Sequence, residues 1–265
     1  MATIGFIGMG NMGTALLKGA LKVFSPEELL YTARTDGTRQ RITAETKVPF
    51  APSNAECANA CKYLVLAVKP QFYDEVLKQI HYVITPEHVV ISLAPGITIA
   101  KLQERLGSDR RIVRAMPNTP ALIGEGITGL AYCSTDYEQE ELAVLEKLFG
   151  AVGRYEKVDE KQMSAVVCAS GSSPAFVYMF IEALADGVVQ FGMPRKEAYA
   201  FAAQAVAGAA KMVLETGQHP GALKDQVCSP GGTTIAGVAA LEKAGFRSAV
   251  LEACRACYER AEDLG

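Results

Sequence analysis

Residues 2–23, ATIGFIGMGNMGTALLKGALKV, decide how the rest of the chain is read. An apolar run, ATIGFIG, leads into Gly8-Met9-Gly10-Asn11-Met12-Gly13. ALLKGALKV follows, with apolar residues at helical spacing. Strand, glycine turn and helix in that order form the phosphate-binding opening of a dinucleotide fold. Gly8 permits the tight turn, Gly10 lets a pyrophosphate approach the backbone, and Gly13 lets the helix pack on the strand. The amides of Asn11 and Met12 then face the phosphates. Taken alone, G-x-G-x-x-G is a weak signal, and a glycine turn without a ligand is the alternative. The strand before it, the helix after it and a second strand at the right distance favour the nucleotide.

Working outward, short apolar runs alternate with helical segments as far as residue 155 or so. ATIGFIG, LLYTA, YLVLAV, HVVISLA and RRIVRAM read as strands that are apolar on both faces. Such an alternation implies a parallel sheet covered by helices on both sides. GITGLAYC and AVGRYEKV read as extra strands flanking a helix, DYEQEELAVLEKLF. From about residue 159 no strand is expected, and long helices follow. Pro174 and Pro194 sit where first helical turns are expected, and Gly192 and Gly217 where helices should stop. The alanine-rich and broadly apolar faces of these helices exceed what a small bundle can bury, so subunit association is expected.

The bulk composition removes several function classes. A net charge of −3 on a chain that is 21% charged argues against nucleic acid or an anionic membrane as the main partner. No uninterrupted apolar run approaches the roughly 18 residues of a spanning helix. No basic region precedes an apolar core at the N-terminus, so no secretory signal is expected. Seven scattered cysteines suggest reduced thiols in a cytoplasm. Cys254-x-x-Cys257 has redox spacing but lies in a helical pattern, where helix packing is the better reading. His81, His88 and His219 are never at ligand spacing, so no metal site is expected.

Two further stretches carry chemistry. At the end of the second strand an NAD site usually presents an acid, but this chain has Ala33-Arg34-Thr35. A guanidinium and a hydroxyl there suit the 2′-phosphate of NADP, while a solvated loop arginine is the alternative. Asp36 comes late for the ribose, and Arg39 and Arg41 add positive charge. LAVKPQ, residues 66–71, closes a strand at the sheet's carboxyl edge, where Asn54 and SLAPG (92–96) also arrive. Lys69 there reads as a catalytic lysine or as a cofactor contact, and its place in the sheet favours the contact. In the helical half, SPGGTT (229–234) precedes IAGVAALE. Glycines and helix amides can wrap an anion there, or the stretch is an ordinary helix stop followed by a capping threonine.

With GMGNMG, AVKPQ, RAMPNTPALIGEGITGL, SGSSPAFVYMFIEALADGV and DQVCSPGGTTIAGVAALE in order, the whole chain closely resembles the pyrroline-5-carboxylate reductase family. The last of these is the most specific. The resemblance implies an α/β Rossmann-like NAD(P)-binding domain, residues 1–157, followed by an all-α substrate-binding and dimerisation domain, residues 158–265. It implies an oxidoreductase that makes L-proline from Δ1-pyrroline-5-carboxylate with NADPH, or NADH. It also implies a cytoplasmic homodimer assembled into a larger ring such as a decamer. Carried over by position, cofactor contacts fall on Gly8, Met9, Gly10, Asn11, Met12 and Gly13, on Arg34 and Thr35, on Asn54, and on Ala67, Val68, Lys69 and Pro70. Substrate contacts fall on Glu160, Gly232, Thr233 and Thr234, with Thr234 as the catalytic hydroxyl. The chain departs from the family's usual pattern at Ser173, where glycine is common, at Pro95, and at Ser164, where an acid is common.

The scarcity of acid/base groups agrees with that chemistry. Reducing a carbonyl needs a proton donor, commonly His, Lys or Tyr. An imine nitrogen is far more basic, so it can bind protonated and let the carbon of the C=N bond accept hydride directly, with Thr234 orienting the nitrogen or relaying a proton. The β-hydroxyacid dehydrogenases share the opening fingerprint, but they carry a lysine on the helix after a glycine-rich turn, and SGSSPAFVYM has none. A non-catalytic NAD(P) sensor would have no use for a carboxylate-binding turn in the helical half.

Overall fold

The computed structural model describes residues 3–263; Ala2, at the head of the expected first strand, and positions 1, 264 and 265 of the expected domains lie outside it. Seven strands form one sheet: β1 (Ile4–Ile7), β2 (Leu29–Thr32), β3 (Tyr63–Leu66), β4 (Val89–Ser92), β5 (Arg111–Met116), β6 (Gly126–Ala131) and β7 (Gly153–Lys157). Their order is β2-β1-β3-β4-β5-β6-β7. β1 to β5 are mutually parallel, whereas β6 runs antiparallel to β5, and β7 parallel to β6. The reversal follows from the connection. Only a short 3₁₀ turn, Thr119–Ile123, separates β5 from β6, and a parallel return needs a crossover of about a dozen residues or more.

The helices of this part are α1 (Asn11–Ala20), α2 (Asp36–Thr46), α3 (Asn54–Ala60), α4 (Tyr73–Ile80), α5 (Ile99–Leu106) and α6 (Gln139–Gly150). Alternate strand residues feed two cores. Ile4, Phe6, Val65 and Ile91 pack with Leu16 and Leu17 of α1 and with Leu145 and Phe149 of α6. Ile7, Leu64, Leu66 and Val90 pack with Leu77 and Ile80 of α4 and with Leu102 of α5. Every residue of β1, β3 and β4 is buried, which is why these strands read as continuous apolar runs rather than alternating ones.

One ionic cluster ties the sheet to α6. Glu141, with a side chain only 6% exposed, accepts from Arg111 Nη1 and pairs with Lys62 Nζ, both at 2.6 Å. The Glu138 amide also donates to it, at 3.1 Å, in a capping box. Burial would raise the carboxyl's pKa, but the bonds from Arg111 and Lys62 outweigh it and hold the pKa at about 2.

Beyond β7 the described chain is helical: α7 (Met163–Val166), α8 (Ser173–Val189), α9 (Arg195–Thr216), α10 (Pro220–Val227), α11 (Thr233–Lys243) and α12 (Phe246–Asp263). Pro174 falls in the first turn of α8, as expected, although α8 has no free start there. A π-helical segment, Val167–Ser172, joins α7 to α8, so the proline lies inside one helical run. A proline leaves the carbonyl four residues back without its helical donor, and a π segment is a common accommodation. That carbonyl belongs to Ser170, and it accepts Asn118 Nδ2 at 3.1 Å, while Asn118 Oδ1 accepts the Ile127 amide at 3.0 Å. Pro194 is the residue before α9 rather than part of its first turn. Gly192 (φ +93°) and Gly217 (φ +63°) do mark helix ends.

The chain forms two compact units. One runs to Ser172 and takes back the chain from Cys257 onward; the other is Ser173–Ala256. The division therefore falls within the helical run, beyond the change of period at 157/158. In the second unit the buried residues are Ala185, Ala198 and Ala202, while Tyr178, Met179, Phe201 and Leu251 are each at least 60% exposed. Three alanines are far too little core for a unit of that size to be stable alone. Glu160–Val189 is the one described helical run that is long and apolar enough to cross a membrane, although serines, a glycine and a proline interrupt it.

Acid should loosen the first unit through Glu141. Because its folded pKa lies near 2, below the ordinary 4.5, the ionised carboxyl stabilises the fold above that ordinary value. This contribution should be lost as pH falls from about 4.5 to 2. Glu141→Gln should cost roughly 1.5–3 kcal/mol at pH 7, with the gap to wild type closing as pH approaches 2. Urea melts at pH 7, 4 and 2.5 check this; a pH-independent gap would contradict it.

Candidate functional site

β1, β2 and β3 all end at one edge of the sheet. The chain leaves β1 to one side for β2 and returns on the other for β3, which makes this gap the topological switch point. A cleft of about 910 Å³ opens there. Of the expected cofactor residues, Gly8, Met9, Gly10, Arg34, Thr35, Asn54, Ala67, Val68 and Lys69 line it. Asn11, Met12 and Gly13 form the start of α1 beside the lining, and Pro70 opens the 3₁₀ turn after Lys69. Arg39, expected there as added positive charge, also lines the cleft, together with Thr38, Phe72 and Gln79. Arg39 was visible as charge; the other three become visible only when α2 and α4 are packed against the sheet.

The glycine loop is shaped by three different requirements. Gly8 adopts φ +100°, and a Cβ there would meet Val68 and the Ala67 carbonyl. A Cβ on Gly13 would run into the Gly8 carbonyl oxygen, so α1 sits directly against the turn. Gly10, at φ −75°, meets nothing within 4 Å. No neighbouring atom requires a glycine at that position, and the backbone there is open to close approach. Gly10 caps α1 with no side-chain hydrogen bond, which leaves the first amides and the dipole for an anion.

The end of β2 is cationic. Arg34 lies over the Phe72 ring, 5.4 Å from its centroid. Thr35 caps α2 by accepting the Thr38 amide at 3.3 Å, and its hydroxyl is 2.9 Å from that of Thr38. Arg39 is pinned by Nε donating to the Ala33 carbonyl at 2.8 Å and by Asp36 at 3.1 Å. Arg41 pairs instead with Glu45 on α2's own surface and is not among the lining residues. Asn54 is held from both sides, accepting Thr32 Oγ1 and donating to Gln79, each at 2.6 Å. Residues 92–96 do not line this cleft. Ser92 is taken up by Tyr73, whose hydroxyl donates to the Leu66 carbonyl at 2.9 Å and whose pKa burial pushes up to about 12.

Glu160 belongs to the same unit but to a second cavity, about 570 Å³, which it lines with Ile99, Tyr132, Lys157 and Gln162. Its Oε1 accepts the Ile99 amide at 2.7 Å and Arg114 Nη1 at 2.9 Å. In the other unit, Gly231 (φ +68°) turns the chain into α11, and a Cβ on Gly232 would strike Ser229. The capping position is Gly232, without a side-chain bond, so Thr233 and Thr234 are the first two helical residues. The capping-threonine alternative is thereby removed. Thr234 is half-buried and Thr233 exposed. Of the departures, Pro95 lies in the turn after β4, the Ser164 carbonyl accepts the Cys168 thiol at 3.2 Å, and Ser173 opens α8.

Residues 160–264 match the family described as pyrroline-5-carboxylate reductase dimerisation, and residues 3–96 match NADP oxidoreductase coenzyme F420-dependent. The pyrroline-5-carboxylate reductase of Escherichia coli (strain K12) is 47% identical over 264 residues, covering 98% of this chain and 97% of its own. That of Synechocystis is 44% identical, covering 99% and 98%. Among solved structures, a Coxiella burnetii pyrroline-5-carboxylate reductase superposes with a TM-score of 0.91 at 34% identity. The Plasmodium falciparum pyrroline carboxylate reductase with NADP bound does so with 0.88 at 33%. Each covers 100% of this chain and 98% of the other.

The two glycines should separate ligand from fold. Gly10→Ala should leave the melting temperature unchanged while weakening NADPH binding by about tenfold or more, whereas Gly13→Ala should lower the melting temperature itself. Calorimetry and a fluorescence titration on the same preparations test it, and a destabilised Gly10→Ala would contradict it. Arg34→Ala should remove a charge-assisted contact of roughly 1.5–3 kcal/mol from NADPH alone, about ten- to hundredfold in its Michaelis constant. An equal rise for NADH would defeat the 2′-phosphate assignment.

Proposed function

The chain belongs to the pyrroline-5-carboxylate reductase family, and from that premise we propose that it reduces the C=N bond of Δ1-pyrroline-5-carboxylate to L-proline, the last step of proline biosynthesis. One observation carries the reading. A dinucleotide cleft with Arg34, and no acid, directly after β2 stands in a chain 47% identical over nearly its whole length to a reductase of that name. The cofactor is NAD(P)H, and Arg34 and Thr35 support NADPH over NADH. When bound, it supplies the hydride.

The protein's own groups bind and orient. The amides opening α11, freed of any side-chain cap, hold the substrate carboxylate with the helix dipole behind them. The Thr234 hydroxyl bonds the ring nitrogen and fixes the face presented to hydride. Glu160 offers a carboxylate to the same cationic ring. Gly232 and Thr233 complete the turn around the anion. Among cofactor contacts, Gly8 to Met12 take the pyrophosphate, Gly13 seats the helix behind it, and Asn54 and Ala67 to Pro70 line the remainder.

The reading divides the chain by role at 157/158, where β7 ends: a nucleotide-binding part before it, and a substrate-binding and dimerisation part after it. The small core of the second unit and its exposed Tyr178, Met179, Phe201 and Leu251 support a homodimer that covers them. By the same reasoning the apolar Glu160–Val189 run meets a second subunit rather than lipid, and dimers assemble into a larger ring such as a decamer. All seven cysteines are free thiols, which supports a cytoplasmic setting.

Steady loss of NADPH absorbance on adding pyrroline-5-carboxylate tests the activity, and cofactor binding without turnover would leave only a sensor. Thr234→Ala should lower turnover about ten- to hundredfold, or roughly 1.5–3 kcal/mol, and spare NADPH binding. Thr234→Ser should recover most of the rate, and Thr233→Ala should matter less. Because Gly232 is the cap, Thr234→Ala should leave the melting curve in place; a destabilised variant with wild-type turnover would sink the catalytic role.

A further inference from the structure

Arg114 is a charge that the fold by itself has no reason to bury. It stands in β5 with its side chain only 7% exposed, and its Nε is buried without a partner among the described residues. An apolar side chain of similar volume would serve the sheet as well or better, since desolvating a guanidinium offsets most of what a single ion pair returns. Its one ionic contact among the described residues is Glu160, through Nη1 at 2.9 Å. The Ile99 amide, which opens α5, donates to that same carboxylate oxygen at 2.7 Å. Glu160 Oε1 is therefore filled by two donors from two different elements, while Oε2 has no partner among the described residues. The carboxylate lines the 570 Å³ cavity with Gln162 and Lys157.

We propose that Arg114 is a positioning residue for the reduction. With the Ile99 amide it clamps one oxygen of Glu160, so that the other is presented in a single orientation to the cationic ring nitrogen of the substrate. Two donors on one oxygen fix both the position and the rotation of the carboxylate, which an exposed glutamate on a 3₁₀ turn would otherwise sample freely. This rests on the reading of Glu160 as a substrate contact.

The test uses the full-length enzyme with Glu160→Gln, Arg114→Gln, Arg114→Met and the Glu160→Gln/Arg114→Gln double variant. Steady-state rates with pyrroline-5-carboxylate at saturating NADPH are read beside the NADPH Kd and a melting curve. Glu160→Gln and Arg114→Gln should each lower kcat/KM about tenfold or more, chiefly by raising KM for the imine, and leave the NADPH Kd within about twofold. The double variant should be no worse than the poorer single, because both changes remove one clamp. If Arg114→Met does not fold, Arg114→Gln, which keeps a polar group in the site, carries the comparison. Losses that multiply in the double variant, or a lower melting temperature with unchanged kcat/KM in Arg114→Gln, overturn the positioning role and leave Glu160 as a contact. An unchanged KM in Glu160→Gln overturns both.

Discussion

The contact between Gly13 and the Gly8 carbonyl sets the geometry on which the nucleotide-binding part depends. No side chain fits between them, so α1 is drawn against the turn that leaves β1. Its first amides then stand at the gap between β1 and β3, and its apolar face, with Leu16 and Leu17, meets one side of the sheet. A helix held even one methyl group farther away would change both the core and the direction of the dipole. One steric constraint thus sets both the packing of α1 and the direction of its dipole, whereas Gly10, three residues earlier, meets no such constraint.

The stretch RAMPN, residues 114–118, connects that sheet to the helices that follow. Arg114 reaches Glu160, and Asn118 reaches the Ser170 carbonyl left open by Pro174. Both are buried polar side chains whose partners lie in the first turns after β7. A proline inside a helix and an arginine inside a sheet are each unfavourable alone. Here each meets a group that needs it, so the strain of one element is absorbed by the polar atoms of another. The Glu141 cluster makes a comparable tie between α6 and the starts of β3 and β5.

Much of this was legible beforehand because it depends on local periodicity. The seven strands, the six helices around them and the helical second half follow from apolar runs and from Gly and Pro positions. Nine of the thirteen expected cofactor residues line one cleft, and the other four adjoin it in sequence, because strand ends and helix starts are local features. Three things were not legible. The reversed β6 depended on the length of a connection. The interior place of Pro174 depended on a π segment and on Asn118. Thr38, Phe72 and Gln79 entered the cleft only through the packing of α2 and α4.

The sequence by itself determined the alternation of elements, the glycine turn between β1 and α1, the missing acid after β2 and, by resemblance, the reductase family. Each is written in neighbouring residues or in motifs that occupy a few consecutive positions. Tertiary structure alone decided that Gly232 rather than a threonine caps α11, that Arg41 turns to Glu45 while Arg39 joins the cleft, and that Arg114 clamps Glu160. The first two turn on backbone and side-chain conformations within a few residues that the sequence pattern leaves open, whereas Arg114 and Glu160 meet across 46 residues, a distance no local pattern records.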